Sequence, residues 1–89
     1  MASVTFTRNL QRLLPCPPAE AQGTTVKEVL EGVFDSNPRA RGYVLDDQGS
    51  LRRHMVVFIN GEPVRDRMSL TDAVPTGAEI YVMQALSGG

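Results

Sequence analysis

Thr25-Val26-Lys27-Glu28-Val29-Leu30-Glu31-Gly32-Val33-Phe34 is the most strongly patterned stretch of this 89-residue chain. Val26, Val29, Leu30, Val33 and Phe34 fall at i, i+3, i+4, i+7 and i+8, which places them in one stripe along a helix. Lys27, Glu28 and Glu31 fall on the opposite, wet side. Thr25 and Glu28 have the form of a capping box, in which the threonine oxygen accepts from an amide one turn in and the glutamate reaches back. Asn37-Pro38 ends the helix, because the residue before a proline is pushed out of helical geometry. A helix with a single apolar stripe needs a surface to cover.

The remaining patterned segments supply that surface as strands. Val4-Thr5-Phe6-Thr7 alternates apolar and polar residues and reads as a first strand with Val4 and Phe6 inward. Leu10, Leu13 and Leu14 follow, and Pro15-Cys16-Pro17-Pro18 then forms a loop, since three prolines in four residues end any regular element. Ala19 to Gly23 continues that loop, with room for a second strand before the helix. Beyond the helix, Tyr43, Val44 and Leu45 read as a short turn of helix tucked under the core, and Asp46 to Ser50 as a polar turn. Met55-Val56-Val57-Phe58-Ile59 is the strongest strand. Asn60-Gly61 is a hairpin signal, and Glu62-Pro63-Val64-Arg65 reads as a return strand that Pro63 confines to an edge. Ser69 to Val74 starts like a capped helix that Pro75 cuts to one turn. Pro75-Thr76-Gly77 then turns the chain into a last strand, Ala78 to Met83.

An opening hairpin, one crossing helix and a final strand beside the first give an α+β chain with the plan of a β-grasp fold. The expected sheet is mixed, of four to five strands, with one main helix on one face. The other face is left open to solvent or a partner. If Val57, Ile59, Ile80 and Val82 point at the helix, then Val56, Phe58, Tyr81 and Met83 point away and form an apolar patch, of the kind that marks partner sites. The domain is expected to span residues 1–84, with 85–89 as a flexible tail.

Composition excludes several function classes. A chain of this size buries roughly 60–65% of its surface, leaving little room for an internal catalytic cavity. The net charge of −1 provides no footprint for nucleic acid or an anionic membrane. No apolar run is long enough to span a bilayer, and Met1-Ala2-Ser3-Val4 lacks the plan of a signal peptide. Cys16 is the only cysteine, so it has no internal partner and fits a reducing cytoplasm. With no histidine near it in sequence, it reads as a passive side chain rather than a reactive thiol. Asp46-Asp47 lacks a third spaced oxygen ligand and reads as a solvated turn, not a metal site. His54, the only histidine, has no triad partner or second ligand and reads as a strand-edge residue beside Arg52 and Arg53. Lys27 is the only lysine among nine basic residues, so the chain offers few amines as conjugation acceptors. A GC-rich genome produces the same arginine bias.

The sequence ends Gln84-Ala85-Leu86-Ser87-Gly88-Gly89. Glycine lacks a Cβ, so two in succession leave bare backbone that can thread a narrow channel and present a carboxylate. With the strand-helix-strand order, Ile59-Asn60-Gly61-Glu62-Pro63-Val64, Pro75-Thr76-Gly77-Ala78-Glu79 and terminal Gly88-Gly89, the whole chain resembles the MoaD/ThiS family of ubiquitin-like sulfur carriers. Small molybdopterin synthase subunits carry prolines just before the glycines, where this chain has Gln84-Ala85-Leu86-Ser87. The thiamine-pathway carrier is shorter between helix and third strand, where this chain runs from Asn37 to Leu51. The excursion into Leu51-Arg52-Arg53-His54 and the Ala-x-x-Gly-Gly end are more similar to CysO-type carriers.

That resemblance implies a sulfur carrier that is a protein co-substrate, not an enzyme, and that binds neither cofactor nor metal. A MoeB/ThiF-like adenylyltransferase would use ATP to turn Gly89 into an acyl-adenylate. Persulfide or sulfide would displace AMP and leave a thiocarboxylate for a sulfur-accepting synthase in cysteine or sulfur-metabolite biosynthesis. Gly88 and Gly89 would be the reactive end, and Val56, Phe58, Tyr81, Met83, Leu86 and Ser87 the partner contacts. The alternatives are a small subunit of molybdopterin synthase, a ubiquitin-like modifier joined to lysines through Gly89, and a β-grasp interaction module that does not conjugate.

Overall fold

Eleven residues, Val26–Ser36, form the helix α2 that organises the molecule. Its whole predicted stripe (Val26, Val29, Leu30, Val33 and Phe34) is buried. The computed structural model describes residues 1–13 and 17–84. Leu14, Pro15, Cys16 and residues 85–89 lie outside the described residues, and with them the expectation for Cys16 and for the tail.

Beneath α2 lies a five-stranded sheet: β1 (Ala2–Phe6), β2 (Ala19–Ala21), β3 (Met55–Ile59), β4 (Glu62–Pro63) and β5 (Glu79–Gln84), in the order β2-β1-β5-β3-β4. The central pair β1 and β5 is parallel, and every other pairing is antiparallel. This is the mixed sheet expected of a ubiquitin-like β-grasp fold. Val4, Phe6, Met55, Val57, Ile80 and Val82 project from it into one core with the stripe of α2. Alternation of buried and accessible residues along β1 and β5 fixes which side faces the helix.

Several local expectations are corrected. The possible second strand of the opening hairpin is Ala19–Ala21, in a stretch otherwise read as loop; its weak intrinsic preference is overridden by antiparallel pairing with β1, Ala2 to Ala21 and Val4 to Ala19. A helix α1, Arg8–Leu13, has no counterpart among the expected elements; Leu10 anchors it in the core. The expected turn around Tyr43-Val44-Leu45 is a full helix, α3 (Pro38–Val44), with Pro38 pre-setting its first backbone angle. Ala40, Val44 and Leu45 are buried, while Tyr43 points outward. The return strand β4 stops at Pro63, because the Arg65 amide turns instead to the carboxylate of Asp72.

No helical turn runs from Ser69 to Val74. The turn lies over Arg67 to Ser69, and Asp66 organises it by accepting from the amides of Met68, Ser69 and Thr71 and from the Thr71 hydroxyl. The following segment docks on the start of α2. Val26 and Lys27 donate their amides to the carbonyls of Asp72 and Leu70, and the Glu28 amide goes to the Thr25 hydroxyl. Helix amides that would lack partners are thereby satisfied by a chain segment more than forty residues away in sequence.

Candidate functional site

The cross-strand pairs Val56–Met83 and Phe58–Tyr81 lie side by side on β3 and β5. Their neighbours Val57, Ile80 and Val82 are buried against the helix, so these four side chains occupy the opposite face. Tyr81 is 41% exposed, and Val56, Phe58 and Met83 are half-buried. Ile59, expected inward, is also half-buried, because it ends its strand at the hairpin. The face continues onto β1, where Thr5 pairs with Tyr81 and Ser3 with Glu79. Ser3, Thr5, Phe58, Tyr81 and Glu79 line a shallow depression of about 360 Å³ there. Sequence reasoning missed Ser3 and Thr5, although both alternate with the inward Val4 and Phe6.

Nothing on this face is arranged for acid–base or nucleophilic work. Among the described residues its ionisable groups are the Tyr81 phenol, Glu79 at the start of β5 and Glu20, which stands across Ser3 on β2. His54 is exposed and remote from any second ligand; among the described residues no three of His, Cys, Asp or Glu converge as a metal site. Asp46 is taken up by its own turn, accepting from the amides of Gln48 and Ser50. The carboxylates with perturbed affinity serve the scaffold. Asp72 is held below the usual carboxylate range by the amides of Arg65 and then Asp66, against the opposing charge of Asp66. Asp66 is lowered by the Thr71 hydroxyl first and the Ser69 amide second. Glu28 is lowered by the Thr24 amide and then the Thr24 hydroxyl, at 2.7 and 2.9 Å, which is how the capping box reaches back. Asp66 was not singled out from the sequence, although Asp66-Arg67-Met68-Ser69 has the spacing of a capped turn.

At the far end of β5, Gln84 stands opposite Met55, the first residue of β3. Gln84 is the last described residue; Leu86, Ser87, Gly88 and Gly89 lie outside the described residues. The structure thus brings Val56, Phe58, Tyr81 and Met83 onto one face that runs to within one residue of Gln84, the last described residue. No helix of the described residues is long and apolar enough to cross a membrane.

No curated protein matches the sequence significantly. Solved structures do share the fold. SAMP1 from Haloferax volcanii superposes with a TM-score of 0.77 at 24% identity, covering 99% of this chain and 98% of that one. A chain of the Amycolatopsis orientalis BexX/CysO complex gives 0.76 at 26% identity, over 100% of both chains. Mycobacterium tuberculosis CysO, described as an antigen, gives 0.80 at 20% identity, over 97% of this chain and 100% of that one. The ThiS family matches residues 8–89, which takes in nearly the whole fold and the final glycines. The chain belongs to the ThiS family of ubiquitin-like carrier proteins.

Proposed function

We propose that this protein is a sulfur carrier in which Gly89 is the reactive residue. The observation that carries the reading is that the family match runs through residue 89 and so includes Gly88-Gly89. A carboxylate is a poor electrophile. In the proposed sequence a partner adenylyltransferase joins the Gly89 carboxylate to AMP, releasing pyrophosphate from ATP. Sulfide then displaces AMP through the acyl carbon and leaves a thiocarboxylate. Its sulfur, softer and more nucleophilic than oxygen, attacks an activated substrate on a second enzyme, with cysteine or another sulfur metabolite as the end product. Residues 1–84 serve as the recognised body and 85–89 as the delivered tail. ATP belongs to the partner, and the carrier acts as co-substrate in the cytoplasm.

Val56, Phe58, Tyr81 and Met83 form the body's docking face, with Leu86 and Ser87 following into the partner. Their support is the run of accessible apolar side chains leading toward Gln84, a feature of partner surfaces. The presence of CysO together with BexX in a related complex also supports a carrier that docks.

ATP–pyrophosphate exchange by a MoeB/ThiF-like adenylyltransferase of the same organism tests the first step. Exchange should require this protein and disappear when Gly88-Gly89 is deleted. Adducts joining Gly89 to lysine, formed without sulfur transfer, would make the protein a modifier instead.

A further inference from the structure

Charge is sorted along the sheet. The strands carry only three charged residues, Glu20, Glu62 and Glu79, and all are acids. The pairings Ser3–Glu20, Ser3–Glu79 and Ile59–Glu62 put them at the end where β5 begins. At the other end, Arg52, Arg53 and His54 immediately precede Met55, whose partner is Gln84. All three are exposed. Arg52 and Arg53 therefore lie beside the Met55–Gln84 pair, where the described part of β5 ends.

Arg52 and its spatial neighbour Arg67 have their heads positioned without an ion pair among the described residues. Arg52 donates its Nε to the Gly42 carbonyl at 2.8 Å, and Arg67 donates Nη2 to the Arg52 carbonyl at 2.9 Å. Bonding to neutral carbonyls orients a guanidinium but leaves its charge uncancelled. Among the described residues the one ion pair is elsewhere, Arg41 with Glu31 at 3.4 Å. Arg53, next to Arg52 in sequence, adds a further exposed guanidinium.

We propose that Arg52, Arg53 and Arg67 form a cationic collar that docks on carboxylate side chains at the mouth of the channel that receives the tail. The proposal rests on the carrier reading for the identity of that partner. Five residues reach at most about 17 Å when extended. A partner that draws in Gly89 over such a length must bring its channel rim close to Gln84, beside which the collar lies. A guanidinium fork matches a carboxylate in two parallel bonds, and held forks lose little freedom on pairing. Opposite charges there also speed encounter and set its orientation. Three arginines near Gln84, against three strand acids at the other end of the sheet where Arg65 is the accompanying cation, favour a tail-first approach to an acidic mouth.

The test uses the full chain, the adenylyltransferase that converts it, and the rate of thiocarboxylate formation at low and high salt. Arg53→Glu is the principal variant, because Arg53 makes no contact that the fold uses; Arg52→Glu/Arg53→Glu is the stronger one. Thr76→Glu, an added acid at the opposite end, is the control. The collar predicts kcat/KM reduced roughly ten-fold or more by Arg53→Glu at low salt. The wild-type rate should fall with salt and the variant's much less, with kcat and the Thr76→Glu protein nearly unaffected. Equal kcat/KM for wild type and both arginine variants at every salt concentration would overturn the proposal. Inhibition of wild type, but not of Arg53→Glu, by tripolyphosphate at constant ionic strength and saturating ATP supports an anion-binding collar. Conversely, tight tripolyphosphate binding with an Arg53-independent conversion rate would assign it to phosphates and overturn the partner assignment. If no adenylyltransferase converts the wild type, the carrier reading fails separately. The collar is then judged on immobilised poly-glutamate: retention of this net-negative protein at low salt, abolished by Arg52→Glu/Arg53→Glu, supports it, and flow-through overturns it.

Discussion

Asn60 and Glu79, nineteen positions apart, are bonded twice: the Asn60 amide donates to the Glu79 carbonyl at 2.8 Å, and the Glu79 amide donates to Asn60 Oδ1 at 2.9 Å. The hairpin after β3 is thereby tied to the start of β5. Asn60 has φ 51° and Gly61 φ 87°, the left-handed pair that a two-residue hairpin requires. Asparagine suits the first position twice over, tolerating that backbone and supplying the acceptor. Asn60→Ala loses both and should cost roughly 1–3 kcal/mol in urea unfolding. Asn60→Asp should cost less. Equal losses for the two would refute the second bond as the reason for asparagine.

Leu70, buried with φ 54°, holds the Lys27 amide through its carbonyl, and the carboxylates of Asp66 and Asp72 maintain the segment around it. Glu28, Asp66 and Asp72 all bind protons less readily in the folded chain than in the unfolded one. Depressed affinity of this kind means that the unfolded state takes up more protons, so the stabilisation is complete above the usual carboxylate range. It declines as pH falls into that range and is lost as pH falls on through the lower folded-state values. The melting temperature should be level at neutral pH and drop in acid. Asp66→Asn should lower it at neutral pH and flatten the acid limb; a melting curve unchanged by that substitution at either pH would rule this account out.

Glycine positions separate close approach from free space. A Cβ on Gly23 would lie 2.8 Å from Glu28 Cβ and 2.9 Å from the Val29 amide nitrogen, while one on Gly42 meets nothing within 4 Å. Gly23→Ala should destabilise by roughly 1–3 kcal/mol through overpacking at the helix start. Gly42→Ala, inside α3, should stabilise by about 0.5–1 kcal/mol through helix propensity. Denaturant midpoints of the two proteins moving in the same direction would be inconsistent with this reading.

Phe58 and Leu30 lie on opposite sides of the sheet. Leu30→Ala should cost roughly 2–5 kcal/mol, as a fully buried core residue does. Phe58→Arg should keep the fold by circular dichroism and weaken binding to the adenylyltransferase by roughly ten-fold or more. An unfolded Phe58→Arg protein would refute the outward assignment, and undiminished binding would remove Phe58 from the docking face.

The helix α2 was legible because its period, cap and stop signal coincide on one local segment. Strands β3 and β5 were legible because their alternation needs no partner to be read. By contrast, Ala19–Ala21 carries almost no strand signal of its own; its pairing with Ala2 to Val4 makes it one. Ser69 looked like a helix cap, but Asp66 takes that role three residues earlier and Asp72 bonds backward to Arg65 and Asp66. These are decisions made between segments, which propensity does not report. The open face followed from side-chain alternation. The placing of Arg52 and Arg53 beside Gln84 required the Met55–Gln84 register.

The central claim is that Gly89 is converted to a thiocarboxylate. Its most direct test is the intact mass of the protein purified from its own host or coexpressed with a competent adenylyltransferase and a sulfur source. The account predicts a gain equal to one oxygen replaced by sulfur, absent when Gly89 is deleted. An unchanged mass with activator, ATP and sulfide all present would contradict it.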